Sequence, residues 1–179
     1  MNEKFEHLMV RAEQLITRIE SILPQPMAAP DWSLAVAWRY RKRSSGHGAL
    51  EPVRHIGVMQ LESLKEIDLQ KEKIRRNTLQ FVEGKPANNV LLTGARGTGK
   101  SSLIKACLNE FSGQGLRLIE VDKADLTDLP DIVDTVAERP EKFIVFCDDL
   151  SFEDGEPGYK ALKSILDGSV SAASPNVLI

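Results

Sequence analysis

A chain of 179 residues is long enough for one well-buried domain with an appendage and too short for two full-sized ones. Its 42% hydrophobic and 27% charged residues are those of a globular protein, and a net charge of −3 gives no global pull toward nucleic acid or anionic membrane. The three histidines are scattered and no apolar run approaches membrane-spanning length, which argues against a structural zinc site and a membrane partner and makes the cytoplasm the expected compartment.

Phe5, Leu8, Met9, Ala12, Leu15, Ile16, Ile19, Ile22 and Leu23 recur at three- and four-residue steps, which predicts an amphipathic helix stopped by Pro24. Its apolar stripe needs a partner, either the core or another subunit, and packing on the core is the expectation. The polar face mixes Glu13 and Glu20 with Arg11 and Arg18, so it lacks the basic excess of a membrane-surface helix. Pro24, Pro26 and Pro30 mark a linker. From Asp31 to Arg43, Trp32, Trp38 and Tyr40 interleave with Arg39, Arg41, Lys42 and Arg43. Such a run can stack on bases and pair with phosphates, but a short basic run in an acidic protein reads first as a solvated face, and nucleic acid is not an expected partner. Ser44 to Gly48 reads as a flexible joint. Residues 1–55 are thus expected to form a helical and linker segment, with the core at 56–179.

A second helical pattern runs from Leu64 to Gly84, with Asp68 as its N-cap and Leu69, Ile74, Leu79, Phe81 and Val82 as apolar contacts. Val90 to Thr93 then suit a strand buried on both faces of a parallel sheet, broken by Gly94. Gly94, Gly97, Gly99, Lys100 and Ser101 satisfy the spacing Gly-x-x-x-x-Gly-Lys-Ser. A loop that wraps a phosphate must present successive backbone N–H groups, and glycines remove the side chains that would block that approach. The following helix adds its unpaired N-terminal N–H groups and its dipole. Gly94, Ala95, Arg96, Gly97, Thr98, Gly99, Lys100, Ser101 and Ser102 are the candidate nucleotide-binding residues. Lys100 would meet the β- and γ-phosphates and the Ser101 hydroxyl would ligate magnesium.

Leu103, Ile104, Cys107, Leu108 and Phe111 give the helix after the loop a wide apolar face, closed by Gly113 and Gly115; Leu116 to Val121 follows as a strand. Asp122-Lys123-Ala124-Asp125 is like the guanine-reading tetrapeptide of GTPases, but it lies upstream of the acidic strand and lacks the leading Asn, so it reads as a turn. Asp131 to Glu138 is a short helix ended by Arg139-Pro140. Phe143 to Asp149 is an apolar strand ending in two carboxylates, the pattern of a Walker B segment. Asp148 would hold magnesium, and Asp149 would orient or deprotonate the attacking water. Cys107 and Cys147 both sit among apolar residues and read as buried, reduced thiols. Tyr159 to Asp167 is a further helix, and Asn176 to Ile179 begins another strand. Strands alternating with helices predict an α/β fold of three layers around a parallel sheet.

Gly97-Thr98-Gly99-Lys100-Ser101, preceded by Asn88-Asn89-Val90-Leu91-Leu92 and followed by the acidic strand end, resembles the AAA+ branch of P-loop ATPases. Gly84 to Leu92, Phe146 to Glu153, the Trp-rich segment and Glu51-Pro52-Val53-Arg54-His55 are similar to a bacterial AAA+-like family classed as a domain of unknown function. The resemblance implies ATP and Mg2+ as cofactors, a homo-oligomer in the full-length form, and hydrolysis that drives a conformational change in a protein client. The alternative is an interaction module gated by ATP with little turnover. Asp148-Asp149 stands where AAA+ proteins usually have Asp-Glu, which makes Glu153 the reserve candidate for positioning water. Ile67 sits where AAA+ proteins line the adenine pocket, without their usual glycine nearby. The strand begun by Asn176 leads, in AAA+ proteins, to a sensor residue, an arginine finger and a helical lid. The chain is therefore expected to be an ATPase core incomplete at its C-terminus, with slow turnover.

Overall fold

In the computed structural model, which describes residues 2–22, 30–42, 48–152, 156–167 and 174–179, helices and strands alternate along most of the chain. Helix α1 (Asn2–Ile22) is followed by strands β1 (Ala37–Lys42) and β2 (Gly48–Pro52) and by helices α2 (Asp68–Val82) and α3 (Lys100–Phe111). Strand β3 (Leu116–Glu120), helix α4 (Leu129–Val136), strand β4 (Lys142–Phe146), helix α5 (Pro157–Leu166) and strand β5 (Val177–Leu178) complete the order. Among the described residues the strands make one five-stranded sheet, β2-β1-β3-β4-β5, in which β2 is antiparallel to β1 and the other pairings are parallel. The fold is α/β with a mostly parallel sheet. Among the described residues no helix is long and apolar enough to cross a membrane.

Alternation along each strand divides the core between the two faces of the sheet. Trp38 and Tyr40 of β1, Ile119 of β3 and Phe143 and Val145 of β4 point to one face, where they bury Leu126, Leu129, Ile132, Val136 and Leu162. Ala37, Leu116 and Leu118 point to the other, against Phe81 of α2 and Ile104, Leu108 and Phe111 of α3. Helices thus cover both faces, as parallel strands require. On the first face Trp32 stands edge-on to Trp38 and to Phe143, with ring centroids 5.1 and 4.9 Å apart.

The structure changes several expectations. Residues 37–52, read as part of a helical and linker segment, supply two strands of the sheet. Residues 37–42 of the aromatic and basic run form strand β1: the rings of Trp38 and Tyr40 are core, and the cations meet carboxylates, Arg39 with Glu120 at 2.7 Å and Lys42 with Asp128 at 2.8 Å. Period-two alternation hides such a strand, because the aromatics read as apolar and the cations as a surface run. Arg43 and residues 44–47 of the expected joint lie outside the described residues, and its last residue, Gly48, opens β2. The N-cap of α2 is Ile67, without a side-chain cap; Asp68 is the first helical residue and pairs with Lys71 at 2.6 Å. The stripe of α1 is not packed on the core, since Phe5, Leu8, Leu15, Ile16 and Ile19 are all more than half exposed.

Val90 to Thr93 is not a strand, and Val90 and Leu91 are exposed, the latter by 77%. A buried parallel strand needs a neighbour along each edge. This segment meets the backbone of Ile179 through one bond, Val90 N to Ile179 O at 2.9 Å, with Ile179 N donating to Asn89 Oδ1.

The hairpin is anchored to the layer beneath it by a three-residue cluster. The Tyr40 hydroxyl donates to Asp128 Oδ2 at 2.8 Å, and Lys42 Nζ donates to both oxygens of the same carboxylate. The Tyr40 ring crosses Gly48 of β2 so closely that a methyl group there would fall within 1.8 Å of its hydroxyl. Burial pushes the Asp128 carboxyl up, but the bonds from Lys42 and Tyr40 outweigh it and hold the group below its usual range. Burial and the Asp128 charge hold the Tyr40 phenol well above its own. The folded state therefore binds fewer protons than the unfolded chain in the acid limb and more in the alkaline limb. The cluster's contribution is present above about pH 4, is lost as pH falls through the lowered carboxyl value, and is lost again as pH rises above about 10. Tyr40→Phe should lower stability by about 1.5 kcal/mol at neutral pH, the low end for a bond to a charged group. It should also flatten the alkaline limb. Denaturant midpoints measured from acid to alkaline pH check both; an alkaline limb as steep in the variant as in the parent would assign it elsewhere.

Candidate functional site

The glycine-rich loop lies where three elements converge. Asn77 of α2 clamps the backbone at its entry, donating through Nδ2 to Asn88 O at 2.8 Å and accepting from Asn88 N at 3.0 Å. The chain then turns at Gly94, Gly97 and Gly99, whose φ angles of 140°, 83° and 88° lie in a region that costs an L-residue about 1–2 kcal/mol. These are the glycines singled out by the spacing. Gly99 is also the N-cap of α3 and offers no side chain to the first turn, which leaves the helix N–H groups for an external acceptor. Thr98 Oγ1 donates back to Ala95 O at 2.8 Å and tightens the loop.

Lys100 and Ser101, in the first turn of α3, carry the polar chemistry. Lys100 Nζ donates to Gly94 O at 2.8 Å and Ala95 O at 2.9 Å, so its charge is held across the loop mouth. Ser101 Oγ donates to Asp148 Oδ2 at 2.9 Å across 47 residues of sequence. Asp148 leaves the end of β4, and its other oxygen, Oδ1, accepts from the Asp149 N–H at 2.9 Å. That second bond accompanies a left-handed backbone at Asp149, with φ of 53°. The carboxylate of Asp149 lines the cleft and has no hydrogen-bond partner among the described residues.

Together these residues border a cleft of about 770 Å³, within the size range of small-molecule sites. Gly94, Arg96, Gly97, Gly99, Lys100, Ser101, Ser102, Asp148 and Asp149 line it; Ala95, Thr98 and Ile67 do not. Glu153 lies outside the described residues. From α2 the lining residues are Ile74, Asn77 and Thr78 in place of Ile67. Asn77 was legible to the extent that a poor helix former in mid-helix invites a search for the backbone it bonds. Burial pushes the Cys147 thiol, also in the lining, up to about 12, so it is uncharged at neutral pH and no nucleophile.

Chemically the cleft pairs a cation and unfilled helix N–H groups with two adjacent hard oxygen donors. Ser101 Oγ and Asp148 Oδ2, already in contact, suit a small divalent cation that completes its shell from water and a bound anion. Among the described residues no group of three His, Cys, Asp or Glu side chains could hold a metal by itself.

Neither the curated proteins nor the solved structures contain a match to the chain. A family model described as "Protein of unknown function (DUF815)" matches residues 33–179. The matched residues run from the start of the sheet through the glycine loop, the acidic pair and β5. Since they make up most of the chain, it belongs to this family.

Proposed function

We propose that the chain is a P-loop nucleoside triphosphatase of AAA+ type, which binds ATP with magnesium in the cleft and hydrolyses it to drive a conformational change in a protein partner. The observation that carries this reading is the contact between Ser101 and Asp148 beside Lys100. A glycine loop alone could open any helix. A loop whose Ser hydroxyl meets the carboxylate at the end of another strand has the arrangement that magnesium-assisted phosphoryl transfer uses. In this reading Gly94 to Ser102 cradle the phosphates, and Lys100 turns from the Gly94 and Ala95 carbonyls to the β- and γ-phosphates. Ser101 and Asp148 hold magnesium, which when bound neutralises charge on the transferring phosphoryl group. Asp149, free to orient, accepts a proton from the attacking water, and Glu153 is the reserve for that role. The base would lie toward Ile74, Asn77 and Thr78, the part of α2 that lines the cleft.

One observation favours a second reading, an ATP-gated interaction module with little turnover. Asp149 is a short carboxylate on a left-handed backbone, held by no described residue. A general base needs a fixed position as well as a proton affinity.

Lys100→Ala removes charge-assisted contacts worth roughly 1.5–3 kcal/mol each, so ATP affinity should fall about ten- to a hundredfold while the fold survives. Isothermal calorimetry with ATP and magnesium reads this directly; unchanged affinity would end the phosphate-loop reading.

The two acids should separate. Asp148→Asn should abolish the dependence of ATP affinity on magnesium while leaving magnesium-free binding in place. Asp149→Asn should keep both and reduce phosphate release. If the two variants behave alike in titrations with and without magnesium, this division of labour is wrong. If the parent binds ATP but releases no phosphate, the gated module is the better description.

A further inference from the structure

The regularity of α1 is not used by the cleft. Every seven residues the sequence repeats a basic, an apolar and a glutamate residue: Lys4-Phe5-Glu6, Arg11-Ala12-Glu13 and Arg18-Ile19-Glu20. With Phe5, Ala12 and Ile19 at heptad position a, Leu8 and Leu15 fall at d and Met9 and Ile16 at e. On a helix these three positions form one stripe about 100° wide. Its large members, Phe5, Leu8, Met9, Leu15, Ile16 and Ile19, are exposed by 47–65%. A 21-residue helix with that much apolar surface in water is marginal unless something covers it.

The charges say what covers it. Glu6 and Glu13, at b, border the stripe along one edge; Arg11 and Arg18, at g, border it along the other. Two such helices placed face to face in parallel set the glutamate edge of each against the arginine edge of its partner. Placed antiparallel, they set like against like. The family match begins at residue 33, so α1 stands apart from the matched α/β part.

We propose that α1 is a self-association element that pairs in parallel, stripe to stripe, with α1 of a second copy of this chain. The occupant is its own copy because the two edges are complementary to each other at the same heptad spacing. A lipid surface would favour a single-sign, basic border to the stripe.

Sedimentation equilibrium of the whole chain at micromolar concentration tests this. The parent should associate. Leu8→Glu/Leu15→Glu should be monomeric with an unchanged thermal transition of the α/β part, because those side chains are exposed. Glu6→Lys/Glu13→Lys makes both edges basic and should weaken self-affinity about tenfold or more, as several attractive pairs become repulsive. Adding Arg11→Glu/Arg18→Glu to that variant exchanges the two edges and should restore the parent affinity. A monomeric parent would overturn the proposal, as would association indifferent to Leu8→Glu/Leu15→Glu. Failure of the charge exchange to recover affinity, or no loss in the first charge variant, would overturn the parallel pairing. Binding of the monomeric chain to phosphatidylserine vesicles, lost in Leu8→Glu/Leu15→Glu, would assign the stripe to lipid and overturn it as well.

Discussion

Parallel pairing of β4 with β3 on one side and β5 on the other is the constraint on which the cleft depends. Parallel strands end on the same edge of a sheet, and ligand sites in open α/β sheets gather beyond those carboxyl ends. Here that edge carries Asp148 past the end of β4 and Ile179 past β5. Ile179 in turn ties down Asn89 and Val90, the approach to the glycine loop. The position of the loop relative to the acidic pair thus follows from backbone pairing. Ser101 and Asp148 meet because the sheet brings them together.

Apolar packing holds the sheet to its helices, through Leu129, Ile132, Val136 and Leu162 on one face and Phe81, Ile104, Leu108 and Phe111 on the other. The indole Nε1 atoms of Trp32 and Trp38 are buried with no hydrogen-bond partner among the described residues, a cost of about 1–3 kcal/mol each. Two edge-on contacts, Trp32 with Trp38 and Trp32 with Phe143, and the burial of both indoles offset it. Polar ties supplement the packing: Tyr40 and Lys42 share Asp128, and the buried amide of Asn176 donates from Nδ2 to Val136 O and Arg139 O, tying the entry of β5 to the end of α4.

The cleft is built with opposite priorities. Its backbone accepts positive φ at three glycines and at Asp149, its walls carry two cations, Arg96 and Lys100, and two carboxylates, and the N-terminus of α3 is left uncapped. Each of these lowers local stability slightly. Together they leave donors and acceptors oriented toward a common space, which is what recognition of a multiply charged ligand requires.

Local features were legible in the sequence. The glycines with positive φ were marked by spacing, because the conformation excludes other residues one position at a time. Helices α1 to α5 and strands β3, β4 and β5 were legible from local pattern, because each depends on residues a few positions apart. Tertiary structure alone decided the rest. Trp38 and Tyr40 are core because β1 lies between β2 and β3, a pairing of segments about 80 residues apart that no local pattern encodes. Val90 and Leu91, apolar and β-prone as they are, form no strand, since strand status belongs to a pair of segments and this one has a single bond to Ile179. Asn77 lines the cleft and Ile67 does not, because the pitch and tilt of α2 set which of its residues reach the loop. Residue types declared the chemistry available; the long-range contacts of the backbone decided which of those residues could act together.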